Sequence, residues 1–336
     1  MDPVLLAEWA VKSALILFTL LTGFAYLTLF ERRVLARMQV RIGPNRVGPW
    51  GLLQPLADGI KLVFKEELIP NQADRPLFIL APVITVVPAF ILVAVIPIGP
   101  EVELFGRTFA LGLSDNLNVG VLYFMAVSSI AVYGIALAGW SSGNKYSTMG
   151  ALRASAQMVS YELALGLAFV GPILLAGSLS VREIVLDQAR LLDWYVFRQP
   201  LGLYVFLVSA IAEVNRAPFD LPEAEQELTA GYHTEYSGMK FAMFYMAEYI
   251  KMIAVSAVAA SLFLGGYNGP GVEQIPWLGP LYLAGKIVVL LFLMIWLRAT
   301  LPRLRYDRLM AYGWKVLLPL GLVNLVWTAA LVVGVG

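Results

Sequence analysis

Apolar and polar positions in this chain alternate on the scale of whole helices. Eight apolar runs recur, at roughly 5–30, 76–98, 117–138, 153–178, 200–217, 240–265, 280–299 and 314–334. Each is close to the ~20 residues that cross a ~30 Å hydrocarbon core. The predicted fold is therefore an all-α integral membrane protein with about eight transmembrane helices, one polytopic domain over 1–336. No soluble domain of any size is expected.

One segment follows a shorter period. From Gly51 to Glu66, Leu52, Leu53, Leu56, Ile60, Val63 and Phe64 share one helical face. Gln54, Asp58, Lys61 and Lys65 line the other, which predicts an amphipathic interfacial helix over about 51–66. Pro55 falls early, where proline is tolerated. The preceding stretch, Arg41-Ile-Gly-Pro-Asn-Arg-Val-Gly-Pro49, cannot continue a helix. On periodicity alone this is a helix anchored among headgroups. Asp58 among its cations points to a second reading, a doorway at lipid level whose polar face turns to a cavity or partner.

Composition agrees with the pattern. The chain has 336 residues, 59% hydrophobic and 14% charged, against about 25% charged in a soluble domain. Net charge, +1, does not select a partner. Met1-Asp-Pro-Val carries no basic n-region, so the first span is expected to be retained. Of the 24 Lys and Arg, 17 fall in the loops after spans one, three, five and seven, and four (Arg107, Arg182, Arg190, Arg198) on the opposite side. The positive-inside rule then places the odd-numbered loops in the cytoplasm and both termini on the non-cytoplasmic side.

The sequence also excludes chemistry. It has no cysteine and one histidine, His233. An iron–sulfur cluster or a bis-His haem thus has no ligand set here, and no zinc constellation is apparent. Phosphate-binding glycine loops are absent. Neither electron carriage nor nucleotide hydrolysis by this chain alone is expected, and no nucleic acid is implied. His233, within Tyr-His-Thr-Glu, is expected to pack or be solvated.

Charge inside the apolar framework is the positive signal, because charge at membrane depth is expensive. From Glu213 to Glu248 there are seven carboxylates (Glu213, Asp220, Glu223, Glu225, Glu227, Glu235, Glu248) against Arg216 and Lys240. Glu162 lies mid-span beside Tyr161 with no local partner, which suits a protonatable relay. Glu213 with Arg216, and Glu248 with Lys251, sit three residues apart, so intrahelical pairs are feasible. For Glu248–Lys251 a packing salt bridge and a relay remain equally open. Asp220-Leu-Pro-Glu223 has an N-cap and N3 pattern, and Glu223 and Glu227 would then fall one turn apart on a short helix. Arg298, Arg303, Arg305 and Arg308 are candidate counter-charges. Lys286, near the outer end of span seven, is expected to snorkel.

Three stretches together resemble one family. They are Glu31-Arg-Arg-Val-Leu-Ala-Arg-Met-Gln-Val-Arg-Ile-Gly-Pro-Asn-Arg-Val-Gly-Pro49 continuing through Asp58, Ala212-Glu-Val-Asn-Arg-Ala-Pro-Phe-Asp-Leu-Pro-Glu223 running to Phe244-Tyr-Met-Ala-Glu-Tyr249, and Arg298-Ala-Thr-Leu-Pro-Arg-Leu-Arg-Tyr-Asp307. They are similar to the H subunit of NADH:quinone oxidoreductase, respiratory complex I, over nearly the whole chain.

That resemblance implies a quinone-binding chamber beneath a soluble arm. Glu31, Arg32, Arg41, Asp58, Arg298 and Arg303 would line or shape it, with Tyr245, Met246 and Tyr249 contacting quinone. Glu162, Glu213, Glu223, Glu225, Glu227, Glu235 and Glu248 would relay protons towards antiporter-like subunits. Quinone would be substrate, and no cofactor would be bound by this chain. FMN and iron–sulfur clusters would belong to partner subunits, with hydrophilic-arm subunits on the cytoplasmic face and small membrane subunits alongside. The expected location is a bacterial cell membrane. Span three holds no carboxylate, so any proton route through it must use water or the hydroxyls of Tyr123, Ser128, Ser129 and Tyr133. The related subunit of a membrane-bound hydrogenase is a competing reading. So is an autonomous ion transporter, which would require inverted repeats that the two halves lack.

Overall fold

The computed structural model describes residues 3–104, 107–114, 117–220 and 231–335. Among the described residues, seven helices are long and apolar enough to cross a membrane. They are α1 (Pro3–Met38), α3 (Arg75–Leu92), α4 (Gly120–Ser141), α5 (Lys145–Ala176), α8 (Gly238–Phe263), α9 (Leu278–Thr300), and α10 (Tyr306–Tyr312) continuing through a π-helical turn at Gly313–Leu317 into α11 (Leu318–Val335). The shorter elements are α2 (Gln54–Val63), α6 (Val181–Asp187) and α7 (Pro200–Glu213). The expected fifth span is thus a 14-residue helix that stops at Glu213 rather than reaching 217. At 1.5 Å per residue it spans about 21 Å, short of a full crossing. The α3–α4 connection adds a two-stranded antiparallel hairpin, β1 (Val102–Leu104) with β2 (Arg107–Phe109).

Helix α8 is the hub. It packs on α1, α3, α7 and α9, while α5 packs on α4, α7 and α11. Most of α8 is buried within the protein, whereas α1 and the last span are largely exposed. Its second half, Ala254-Val-Ser-Ala-Val-Ala-Ala-Ser261, is small-residue sequence that lets neighbouring backbones approach. A helix buried on nearly every side can carry charge only where other helices supply partners. That sets up the site.

Local signals explain where the expected bounds moved. Helix α5 starts at Lys145 rather than about 153 because Asn144 caps it, its side chain accepting from the Tyr146 amide at 3.0 Å. Helix α2 begins after a turn in which Gly48 and Gly51 take positive φ. A Cβ on Gly51 would lie 2.4 Å from the Pro44 carbonyl oxygen, so only glycine fits. The apolar side chains of α2 and its flanks (Leu52, Leu56, Ile60, Val63 and Phe64) are exposed, as an interfacial helix requires. Lys286 does not snorkel. Its ammonium donates to the carbonyls of Leu264, Gly266 and Asn268 at 2.6–2.8 Å, capping the end of α8.

The α3–α4 crossing is equally close. A Cβ at Gly134 would sit 2.1 Å from Thr85 Oγ1 and 2.9 Å from the Thr85 nitrogen. Gly134→Val should therefore destabilise the fold by about 1–3 kcal/mol, measured as a lowered thermal midpoint of the purified complex. An unchanged midpoint would show that this crossing is looser than described.

Candidate functional site

The chain builds the site at the end of α7. There Asn215 adopts φ 57°, the left-handed conformation that asparagine tolerates best after glycine. Gln157 of α5, fully buried, holds the turn by donating to the carbonyls of Ala212 (2.9 Å) and Phe219 (2.8 Å) and to Asn215 Oδ1 (3.2 Å). The Ala217–Pro218 peptide bond is cis. This turn delivers Arg216 into the protein interior.

Arg216 meets two acids from different helices. Its guanidinium bonds Glu31 of α1 through both terminal nitrogens, at 3.1 and 3.2 Å, and its Nε lies 2.5 Å from Glu248 of α8. It also stands over the Tyr249 ring, 4.4 Å from the centroid, a favourable cation–π geometry. Arg298 of α9 bonds the same Glu31. Beside them Arg303 holds Asp220 at 2.9 Å, and Lys251 holds Glu213 at 2.8 Å. Burial pushes the Asp220 carboxyl above its ordinary value, while Arg303, Arg298 and Arg216 oppose that shift.

The intrahelical pairs that the spacing allows do not form. Glu213 pairs with Lys251 rather than Arg216, and Glu248 pairs with Arg216 rather than Lys251. For Glu213 the cause is the end of α7, which removes Arg216 from the helical register, whereas Glu248 and Lys251 share α8 but each meets a partner from outside it. Among the described residues, Glu213, Asp220 and Glu248 of that acidic stretch each meet a cation in space. Four acids (Glu31, Asp220, Glu213, Glu248) meet four cations (Arg216, Arg298, Arg303, Lys251). A void of about 30 Å³ touches Glu213, Glu248, Lys251, Thr85 and Asn215. That is room for a water molecule between the two halves of the cluster.

A larger cavity, about 450 Å³, opens between α1, α2 and α8. Phe24, Thr28 and Arg32 line one wall, Asp58 and Lys61 another, and Tyr245, Met246 and Tyr249 a third. Arg32 bonds Asp58 at 2.6 Å, and Gln54 donates to the same carboxylate at 3.1 Å. Asp58 and Lys61 of the polar face of α2 thus border a cavity, beside Leu62 and Val63. Tyr249 belongs to both structures, lining the cavity while stacking on Arg216.

The other sequence candidates scatter. Glu31, Arg298 and Arg303 sit in the ion cluster rather than on the cavity wall. Arg41 is exposed and bonds Gln39 at 2.8 Å. Glu235 accepts from Asn144 at 2.7 Å, at the start of α5. Glu162 does have a partner, the hydroxyl of Ser129 on α4. No hydrogen bond or ion pair among the described residues links Glu162 to Glu213. Glu223, Glu225 and Glu227 lie outside the described residues, as does the helix start expected there. Among the further Arg candidates, Arg305 pairs with Asp307 at 3.1 Å.

A sequence model of the NADH dehydrogenase family matches residues 11–329. The NADH-quinone oxidoreductase H subunit of Thermomicrobium roseum is 54% identical over 319 residues, 92% of each chain. An H subunit of the same enzyme from Geobacter sulfurreducens is 53% identical, over 94% of this chain and 92% of the relative. One from Koribacter versatilis is 51% identical over 96% of each. The chain belongs to the family of NADH-quinone oxidoreductase H subunits. It is thus a multi-pass membrane subunit of an oxidoreductase complex, with other subunits of that complex as partners.

Within this membrane subunit, sequence reasoning placed Arg216 and Lys251 as helix-pair partners and overlooked Gln157. The signal for Lys251 was present, a cation inside an apolar span. Gln157 gave none, because a lone glutamine among Ser and Met reads as helix surface. Replacing Arg216 by Met leaves Glu31 and Glu248 buried with reduced compensation. The expected cost is about 3–5 kcal/mol, read as loss of folded subunit or of its assembly, and a fully stable Arg216→Met complex would contradict the cluster. A second prediction concerns His233, which contacts the rings of Tyr232 and Phe241. Burial lowers its pKa to about 4, against about 6.5 when unfolded. Between those values the unfolded state binds the extra proton, so stability should fall as pH drops from about 6.5 to 4. His233→Phe should weaken that acid dependence of the thermal midpoint, and an identical pH profile would show the imidazole to be solvated.

Proposed function

We propose that this chain forms the quinone-binding chamber of a proton-pumping NADH:quinone oxidoreductase and couples quinone reduction to proton movement through its buried ion cluster. The observation that carries the proposal is Tyr249, one ring shared between the cavity and Arg216. An apolar cavity beside an interfacial helix suits a lipid-soluble ring carrying a long apolar tail. The exposed apolar face of α2 gives such a tail a lipid-level approach. Electrons come from FMN and iron–sulfur clusters of partner subunits, since this chain has no cysteine and one histidine. The soluble arm docks on the cytoplasmic face, where the basic first loop lies, and both termini lie on the other side.

The coupling follows from charge balance. Because the cluster's four acids and four cations offset one another, a charged quinone intermediate beside Tyr249 is an uncompensated charge. At 10 Å and an effective dielectric of 20 it interacts with each buried carboxylate by roughly 1.7 kcal/mol, more than one pKa unit. The first groups to respond are Glu31 and Glu248, both on Arg216. The second step crosses the water-sized void to Glu213 and Lys251. Glu162, bonded to Ser129, takes up the relay further along α5 only if water bridges the gap.

Two variants test the two halves of the proposal. Tyr249→Leu removes the shared ring and should lower kcat/KM for quinone roughly tenfold, while NADH oxidation by a soluble acceptor that bypasses quinone stays unchanged. Unchanged quinone kinetics would remove the chamber from this cavity. Glu213→Gln should retain quinone reduction but lower the protons moved per quinone reduced in proteoliposomes. Wild-type pumping in that variant would break the relay at its second step.

A further inference from the structure

At the end of the bundle opposite α2, the segments 186–194 and 267–274 enclose a second cavity of about 540 Å³. Its size falls within the roughly 300–1,000 Å³ usual for ligand pockets, and the quinone chemistry does not use it. The cavity lies where α5 and α8 end and α7 and α9 begin, which puts it at a membrane boundary. Trp194 and Tyr267 line it, the two aromatic types that collect at that depth. Leu186 and Leu191, also in the wall, are exposed, as are the neighbouring Leu192 and Phe197.

Several charges around the cavity are already satisfied. Arg182 holds Glu101 at 2.6 Å, Arg198 lies 3.4 Å from Asp193, and Asp187 accepts from the Tyr195 hydroxyl at 2.5 Å. The Lys286 ammonium donates to three carbonyls and sits 4.2 Å from the Trp194 ring centroid. Arg190 and Glu273 differ. Both line the cavity, and among the described residues neither side chain makes a hydrogen bond or ion pair. Opposite charges that share one cavity without meeting present an anion site and a cation site to a single occupant.

We propose that this cavity binds the headgroup of phosphatidylethanolamine from the leaflet at this end of the bundle. The Arg190 guanidinium matches a phosphate with a planar fork of donors, and the Glu273 carboxylate accepts from the primary ammonium. The acyl chains leave past Leu186 and Leu191 into the bilayer. A glycerol headgroup offers Glu273 only neutral hydroxyls, with no cation to offset its charge. A choline headgroup has the cation but no N–H to donate.

The test uses the assembled oxidoreductase complex, stripped of lipid and reloaded separately with dioleoyl phosphatidylethanolamine, phosphatidylglycerol or phosphatidylcholine, with retained copies counted by native mass spectrometry. The wild-type complex should hold one copy of the ethanolamine lipid about tenfold more tightly than either other lipid. Arg190→Gln should weaken that copy about tenfold, and Glu273→Gln should abolish the preference over phosphatidylglycerol. Within this chain both side chains are exposed and, among the described residues, unpaired, and subunit composition of each variant complex checks that assembly is intact. Equal retention of the three lipids, a wild-type preference for phosphatidylglycerol, or lipid binding indifferent to both substitutions overturns the assignment.

Discussion

One guanidinium holds this molecule's polar interior together. Arg216 is buried and bonds Glu31 from α1 and Glu248 from α8 while covering the face of Tyr249. Its planar fork can satisfy two carboxylates and a ring at once, which an ammonium cannot do. Desolvating three charges is costly, and only good geometry with several hydrogen bonds repays it. The structure supplies that geometry by ending α7 at Glu213 and turning the chain through Asn215, with Gln157 clamping the turn. Without that clamp the arginine has no fixed route into the interior.

The membrane makes the arrangement consequential. In water, ion pairs at these distances would be screened and worth little. Here α8 is enclosed by other helices, so each buried acid depends on a cation from elsewhere in the chain: Glu213 on Lys251, Asp220 on Arg303, Glu31 on both Arg216 and Arg298. Such a set is balanced but not rigidly so, since moving one proton or one nearby electron changes the field felt by all. The cavity between α1, α2 and α8 lies one aromatic ring from that balance. In the proposed coupling, that proximity is what would carry chemistry in the cavity into charge movement in the cluster.

Much of this architecture is legible in the chain. Hydropathy gives the long helices, and the 3.6-residue period of Leu52 to Phe64 gives the interfacial helix whose polar face lines the cavity through Asp58 and Lys61. The stretches around Glu31, Glu213 and Arg298 mark the residues that converge. Their pairing was not legible. Spacing suggested Glu213–Arg216 and Glu248–Lys251, but local spacing describes one helix, and these partners come from several. Lys286 misled for a similar reason: its partners are backbone carbonyls at the end of another helix, and carbonyls leave no mark in a sequence. The shortness of α7 was hidden because Val214 and the residues before it keep the apolar run going past the helix end.

The central claim is that redox chemistry in the cavity changes the protonation or environment of the carboxylates on Arg216. Redox-triggered infrared difference spectroscopy of the assembled complex, wild type against Glu248→Gln, addresses it directly. The account predicts carboxyl bands that appear on quinone reduction in the wild type and are lost or shifted in the variant. Identical difference spectra from the two proteins, with quinone reduction proceeding in both, would contradict it.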